Sequence, residues 1–302
     1  MIISAIDNAN MFVLRWRDEN NNRLESNVSY ADFNPYFYIL ANENERQGVN
    51  ITEYVNGRKD SFRINLSYTV DGSVSLDGRA LKKVTWSPPK PNYVRELRKQ
   101  WNETFEADVP FHYRYAIDRL TSLPEYRLRK FYWDLEWQQR GKYNGAITCI
   151  SYYDNYTKKS NVYWWQPDSI NRKIRGHSKP YDSEKSMLFA FVKEITEKDP
   201  DMLIAWFGSK FDLPKLIERL HANDIDPRLL SPYNDVKGVY YSGGIKLSKA
   251  VNSYTPIEQP IRGRLILNLD LAFERQWNDA QRGTLPSLAL DYVSENVLGE
   301  KK

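Results

Sequence analysis

Hydrophobic and polar side chains alternate along FYWDLEW, residues 131–137, so that Phe131, Trp133 and Leu135 point to one face of an extended chain and Tyr132, Asp134 and Glu136 to the other. This predicts a strand over 129–137. Similar runs at 145–155 (GAITCISYYDN) and 161–167 (NVYWWQP), separated by short turns, extend it into an antiparallel meander. The period then changes to that of a helix: Met187, Leu188, Phe191, Val192 and Ile195 form a stripe, Ser183 stands at the N-cap position and Pro200 lies beyond the end. A strand at 201–207, a helix at 213–224 with Pro214 near its start, a strand at 263–273 and a last helix within LPSLALDYVSENVLG follow. Three antiparallel strands followed by alternating helices and strands describe an α/β fold, a mixed sheet flanked by helices. Upstream, the runs at 11–18, 32–41 and 62–78 favour strands. Pro88, Pro89 and Pro91 stop the preceding strand, and Val94, Leu97 and Trp101 have helical spacing. The pattern changes between about 105 and 125, which divides the chain into a β-rich α+β domain, 1–110, and an α/β domain, 111–302.

The totals narrow this picture only a little. At 302 residues, 41% hydrophobic and 27% charged, the chain is long enough for two cores and too apolar for a disordered protein. A net charge of +4 neither demands nor excludes nucleic acid. The 21 tyrosines and 9 tryptophans suit stacking on bases and suit an aromatic core equally well. The single cysteine, Cys149, excludes an internal disulfide framework and a cysteine-based zinc site, and the three histidines, 112, 177 and 221, lack ligand spacing. No secretory leader pattern or membrane-length apolar run is evident, so the expected localisation is cytoplasmic, without membrane partners.

The acids carry the chemistry. Asp134 and Glu136, two residues apart on a strand, share a face and repel each other; a divalent cation would remove that penalty, and an edge strand with both acids in water would avoid it. Asp212 follows the fourth strand and directly precedes Leu213-Pro214, where an aspartate is also a routine helix cap. Asp270 shares a face with Asn268 if LILNLDLAF is extended, which would make a polar face of that strand.

Several segments together resemble family B DNA polymerases. FYWDLEW is similar to the first exonuclease motif, D-x-E, and DPDMLIAWFGSKFDLPKLIERL to the second. GRLILNLDL and LPSLALDYVSENVLGEKK resemble the family's G-R-x-x-x-D segment and its continuation, while DFNPYFYIL and FEADVPFHYRYAIDRL resemble its amino-terminal domain. The resemblance implies a 3′-to-5′ proofreading exonuclease domain of ribonuclease H-like fold behind an amino-terminal domain, acting on a single-stranded DNA 3′ end with two Mg²⁺ or Mn²⁺ ions. It implies that Asp134 bridges both ions, that Glu136 binds one and helps place the water, and that Asp212 holds the other. Phe211 would wedge or stack the terminal base, or be a core residue; Asp270 would support the site. Tyr240, Tyr241, Lys246 and Lys249 fall in VYYSGGIKLSK, where the family places a hairpin that handles the primer strand, and would contact DNA.

The chain also departs from the pattern. Phe207 stands where the family carries an asparagine, and the third motif, Tyr-x-x-x-Asp, has no counterpart before Lys302, nor has the polymerase palm. The expectation is an exonuclease completed by a second polymerase fragment, or a truncated copy; the alternative is a noncatalytic module that binds single-stranded nucleic acid or a replication partner. RLRKFYW (127–133) and NRKIRGHSK (171–179) could also meet phosphates, or simply face water.

Overall fold

The computed structural model describes residues 2–8, 11–55, 58–120, 127–166, 178–236, 260–280, 282–283 and 285–300. It divides into two units, Met1–Arg127 and Leu128–Lys302.

The first unit holds two antiparallel sheets. One is β1 (Ile2–Asn8), β2 (Met11–Arg17) and β3 (Arg23–Ser29) in sequence order; the other has the order β4 (Tyr36–Leu40), β7 (Leu81–Ser87), β6 (Arg58–Thr69), β5 (Gly48–Val55). The second sheet packs Phe37, Ile39, Ile64, Val84 and Trp86 against Leu97 and Trp101, with Leu97 closing the short helix α1 (Val94–Leu97). Helix α2 (Phe111–Arg119), on the far side of the boundary drawn from the sequence, sets Phe111 and Tyr115 against Phe12, Tyr30 and Phe33 of the first unit. These rings meet edge-on at 5.1–5.5 Å, as aromatic quadrupoles favour. A cavity of about 470 Å³ in this unit is lined by Tyr36, Trp86, Asn92, Arg95 and Arg114, among others.

The second unit is built on a six-stranded sheet of order β11 (Ser178–Tyr181), β10 (Lys159–Trp165), β9 (Ile147–Asp154), β8 (Lys130–Trp137), β12 (Met202–Ala205), β13 (Leu265–Asn268). The meander β8–β9–β10 is antiparallel, as its turns predict. β12 runs parallel to β8, and β13 parallel to β12. Strand β11, parallel to β10, lies at the end of the basic segment 171–179 and is not signalled by the sequence pattern.

β8 is a central strand, which removes the edge-strand explanation of its acids. Phe131, Trp133 and Leu135 face a core completed by helix α3 (Glu184–Lys198) and helix α4 (Leu213–Ala222). α3 starts where expected, with Ser183 Oγ accepting from the Ser186 N–H at 3.2 Å and Ser186 Oγ accepting from the Ser183 N–H at 3.3 Å. Each aromatic or aliphatic side chain fully buried on this face contributes about 1.5–3 kcal/mol, so the register of β8 is strongly set. Its acids are therefore held on the opposite face.

The segment 263–273 differs from the expected strand. Only Leu265–Asn268 is extended; Leu269–Asp279 is helix α5, so Asp270 stands in a first helical turn rather than on a strand face. Phe273 and Trp277, four residues apart and in ring contact at 5.8 Å, show the helical period that the short apolar run obscures. The chain then forms α6 (Leu290–Val293), which runs into a π-helical turn at Ser294–Leu298. Among the described residues no helix is long and apolar enough to cross a membrane.

Candidate active site

The parallel register of β8, β12 and β13 brings their carboxyl ends to one end of the sheet, the end at which open α/β sheets bind ligands. On β8, Asp134 is half-buried and Glu136 is exposed, both on the face away from the core. Ser151 of β9 lies opposite Asp134 and Cys149 opposite Glu136. Burial first, and then the negative charges of Glu136 and Asp134, push the Cys149 thiol up to about 11. Cys149 is thus held as a thiol near neutral pH, next to a patch of carboxylates.

After β12 the chain enters a π-helical turn, Gly208–Asp212, which packs against β8 and β13 and feeds into α4. Widened turns of this kind are common at functional sites. Gly208 is needed for close approach: a Cβ there would lie 3.1 Å from Ala205 Cβ and 3.2 Å from Asn268 Oδ1. Asp212 is buried and makes no capping hydrogen bond to α4, so the helix-cap reading of this residue does not hold; its backbone is already helical, which removes it from cap geometry. Phe211 is 54% exposed, so of its two readings the core one does not hold. It meets Phe207 edge-on at 5.7 Å, and the aromatic run continues through Trp206 and Phe273 to Trp277.

Asp270 is fully buried, 2.7 Å from Lys210 Nζ. Asn268 and Ser209 are bonded twice, Ser209 N–H to Asn268 Oδ1 at 2.8 Å and Asn268 Nδ2 to Ser209 Oγ at 2.6 Å. Nothing local in the sequence marks Ser209 and Lys210, whose partners lie 59 and 60 positions away. Asn268 was visible only as a polar residue near Asp270.

The segments bearing Asp134, Glu136 and Asp212 thus converge on one end of the sheet, yet among the described residues no three His, Cys, Asp or Glu side chains are close enough to form a ready-made metal site. The expected DNA contacts Tyr240, Tyr241, Lys246 and Lys249 lie outside the described residues.

A sequence model of the exonuclease domain of family B DNA polymerases matches residues 132–271, which include Asp134, Glu136, Asp212 and Asp270. The chain is 25% identical over 294 residues to a DNA polymerase of Pyrococcus glycovorans, covering 92% of this chain and 34% of that protein. It is 26% identical to DNA polymerases of Thermococcus litoralis, covering 89% of this chain and 15% of the relative, and of Pyrococcus horikoshii, covering 92% and 21%. Residues 132–271 thus match the exonuclease domain of the family B DNA polymerases, and the resemblance read from the motifs is borne out. The chain spans about a third or less of the length of these relatives.

Proposed function

We propose that this chain carries the 3′-to-5′ proofreading exonuclease of a family B DNA polymerase, on a ribonuclease H-like fold, with Asp134, Glu136 and Asp212 as its metal-binding carboxylates. The observation that supports the reading is that β8, which carries Asp134 and Glu136, packs against the turn after parallel strand β12, which carries Asp212, within the segment that matches the exonuclease family. The donors are hard oxygens, and the one soft candidate nearby, Cys149, keeps its proton, so the set fits Mg²⁺ or Mn²⁺ better than zinc. Such ions, when bound, activate a water and neutralise the leaving 3′ oxygen.

The chain's own residues do the rest. β8 holds Asp134 and Glu136 on one face, Asp212 approaches from the turn after β12, and exposed Phe211 offers an aromatic surface to the terminal base of a single strand. On this reading a separate polymerase fragment supplies the further carboxylate that the resemblance implies, together with the polymerase palm. The lack of a ready-made three-ligand cluster among the described residues favours a second reading, a noncatalytic module that binds single-stranded nucleic acid.

The test is digestion of 3′-labelled and 5′-labelled single strands with Mg²⁺ or Mn²⁺, by the chain alone and mixed with the matching polymerase fragment. Asp134→Ala is expected to lower the rate by about a hundredfold or more, since losing even a group that only orients a ligand costs about 10–100-fold. Digestion at the same rate by both proteins removes Asp134 from the mechanism. Binding of the strand without digestion in either assembly supports the noncatalytic reading.

A further inference from the structure

The turn that carries Phe211 and Asp212 is tied on its β13 side by side chains that have other local uses. Asn268 occupies the N-cap position of α5, where an asparagine ordinarily accepts from the helix's own N–H groups. It makes no such bond; its Oδ1 accepts instead from the Ser209 N–H, and its amide donates to Ser209 Oγ. Two residues on, Asp270 is fully buried, accepts from Lys210 Nζ through Oδ2, and keeps Oδ1 without a hydrogen-bond partner. Its own N–H donates to the Trp206 carbonyl at 3.1 Å, fixing the other end of the same turn. The Lys210 ammonium also lies 5.2 Å from the centre of the Phe207 ring.

Stability alone is a poor reason for such an arrangement. A buried ion pair with an unsatisfied oxygen is often matched or exceeded in stability by an apolar replacement of similar volume. A widened turn of this kind is rare and is found mostly as a single turn at functional sites, so contacts from outside the turn bear on its shape. The four side chains supply such contacts, and Gly208 lets the turn pack closely on Asn268, whose Oδ1 would lie 3.2 Å from an added Cβ.

We propose that Asn268 and Asp270 are positioning residues for the exonuclease reaction, acting through Ser209 and Lys210 to fix the turn that sets the places of Phe211 and Asp212. The role rests on the reading given under Proposed function. It assigns Asn268, Ser209 and Lys210 a part in the site, and it gives Asp270 a role without contact to substrate or metal.

The test compares Asn268→Ala, Lys210→Arg and the double variant Lys210→Met/Asp270→Asn with the parent chain. The double variant removes both charges and so avoids stranding one of them. Three quantities are measured: the thermal midpoint, amide hydrogen exchange across residues 207–213, and kcat and KM in whichever assembly shows Asp134-dependent digestion. In Asn268→Ala and the double variant, exchange in 207–213 is expected to quicken about tenfold or more while β8 and α3 keep parental rates. In the same two variants kcat is expected to fall about tenfold, in the range found for residues that orient metal ligands, with KM little changed. Lys210→Arg, which keeps the ion pair, is expected to retain most of the activity. Parental exchange across the turn in both variants overturns the proposal, as does a double variant with parental midpoint and parental kcat. If no assembly shows Asp134-dependent digestion, the exonuclease reading fails, and the exchange measurement alone decides whether these residues fix the turn.

Discussion

The two ends of the second unit's sheet can be compared acid by acid. Where β8, β12 and β13 begin, Asp154 receives both Nε and NH2 of Arg129, at 3.3 and 2.6 Å, and Asp201 accepts from the Arg129 N–H at 2.8 Å. Arg264, buried in the segment before β13, donates to Asp199 and to the carbonyls of Pro200, Ile195 and Leu230. It thereby binds the carboxyl end of α3, where the helix dipole favours a cation. At the opposite end, Asp134 and Glu136 stand two residues apart on one face, and their charge helps hold the Cys149 thiol up. One end uses its acids to lock the sheet; the other concentrates negative charge where a cationic ligand would be stabilised. A fold can hold a locally unfavourable group only when the rest of the structure outweighs it.

The largest break in this contrast is expected at Arg264. Arg264→Met removes the cation and leaves several buried acceptors unpaired, and is expected to cost about 3–5 kcal/mol in chemical denaturation. A cost below about 1 kcal/mol would show that this end is not the lock described. Asp154→Asn comes next, at about 2–3 kcal/mol for one charge-assisted pair.

Burial pushes the Asp154 carboxyl up, but Arg129, the Tyr156 N–H and the Thr157 hydroxyl outweigh it and hold it below the usual range. A depressed carboxyl stabilises the fold fully above its unfolded value of about 3.9, and that stabilisation is lost as the pH falls through the lower folded value. The parent is therefore expected to lose stability more steeply than Asp154→Asn below about pH 4, as followed by acid unfolding. Parallel acid curves would assign the pairing to some other residue.

The smallest effect on folding belongs to the other end. Asp134→Asn relieves repulsion with Glu136 and is expected to leave stability unchanged or raise it by about 0.5 kcal/mol in the absence of divalent ions, and to lose the rise in stability with added Mg²⁺ that the proposed metal site predicts for the parent. A variant clearly less stable than the parent without metal would show that Asp134 has a structural partner and that the two ends are not opposites.

Much of the second unit is legible in its residues. The alternation in FYWDLEW fixes which side chains of β8 face the core, and the stripe from Met187 to Ile195 with its serine cap fixes α3. Both are local patterns with a period that the backbone imposes. The site is less legible. Phe211 reads as a core residue because most phenylalanines are buried, and only the turn places it outward. Asp212 reads as a cap because the same residue type serves both uses. Asp270 reads as a strand residue because an apolar run as short as LILNLDLAF suits either period.

The sequence by itself determined the strand and helix periods, the separation of apolar from acidic faces on β8, and the family likeness carried by its motifs. Only the tertiary structure decided that β12 lies between β8 and β13, that Asn268 abandons its own helix for Ser209, and that Asp270 meets Lys210. The reason is physical. Backbone period and side-chain burial act over a few residues, whereas strand order and buried polar pairing depend on which distant segments share a surface once the core has closed.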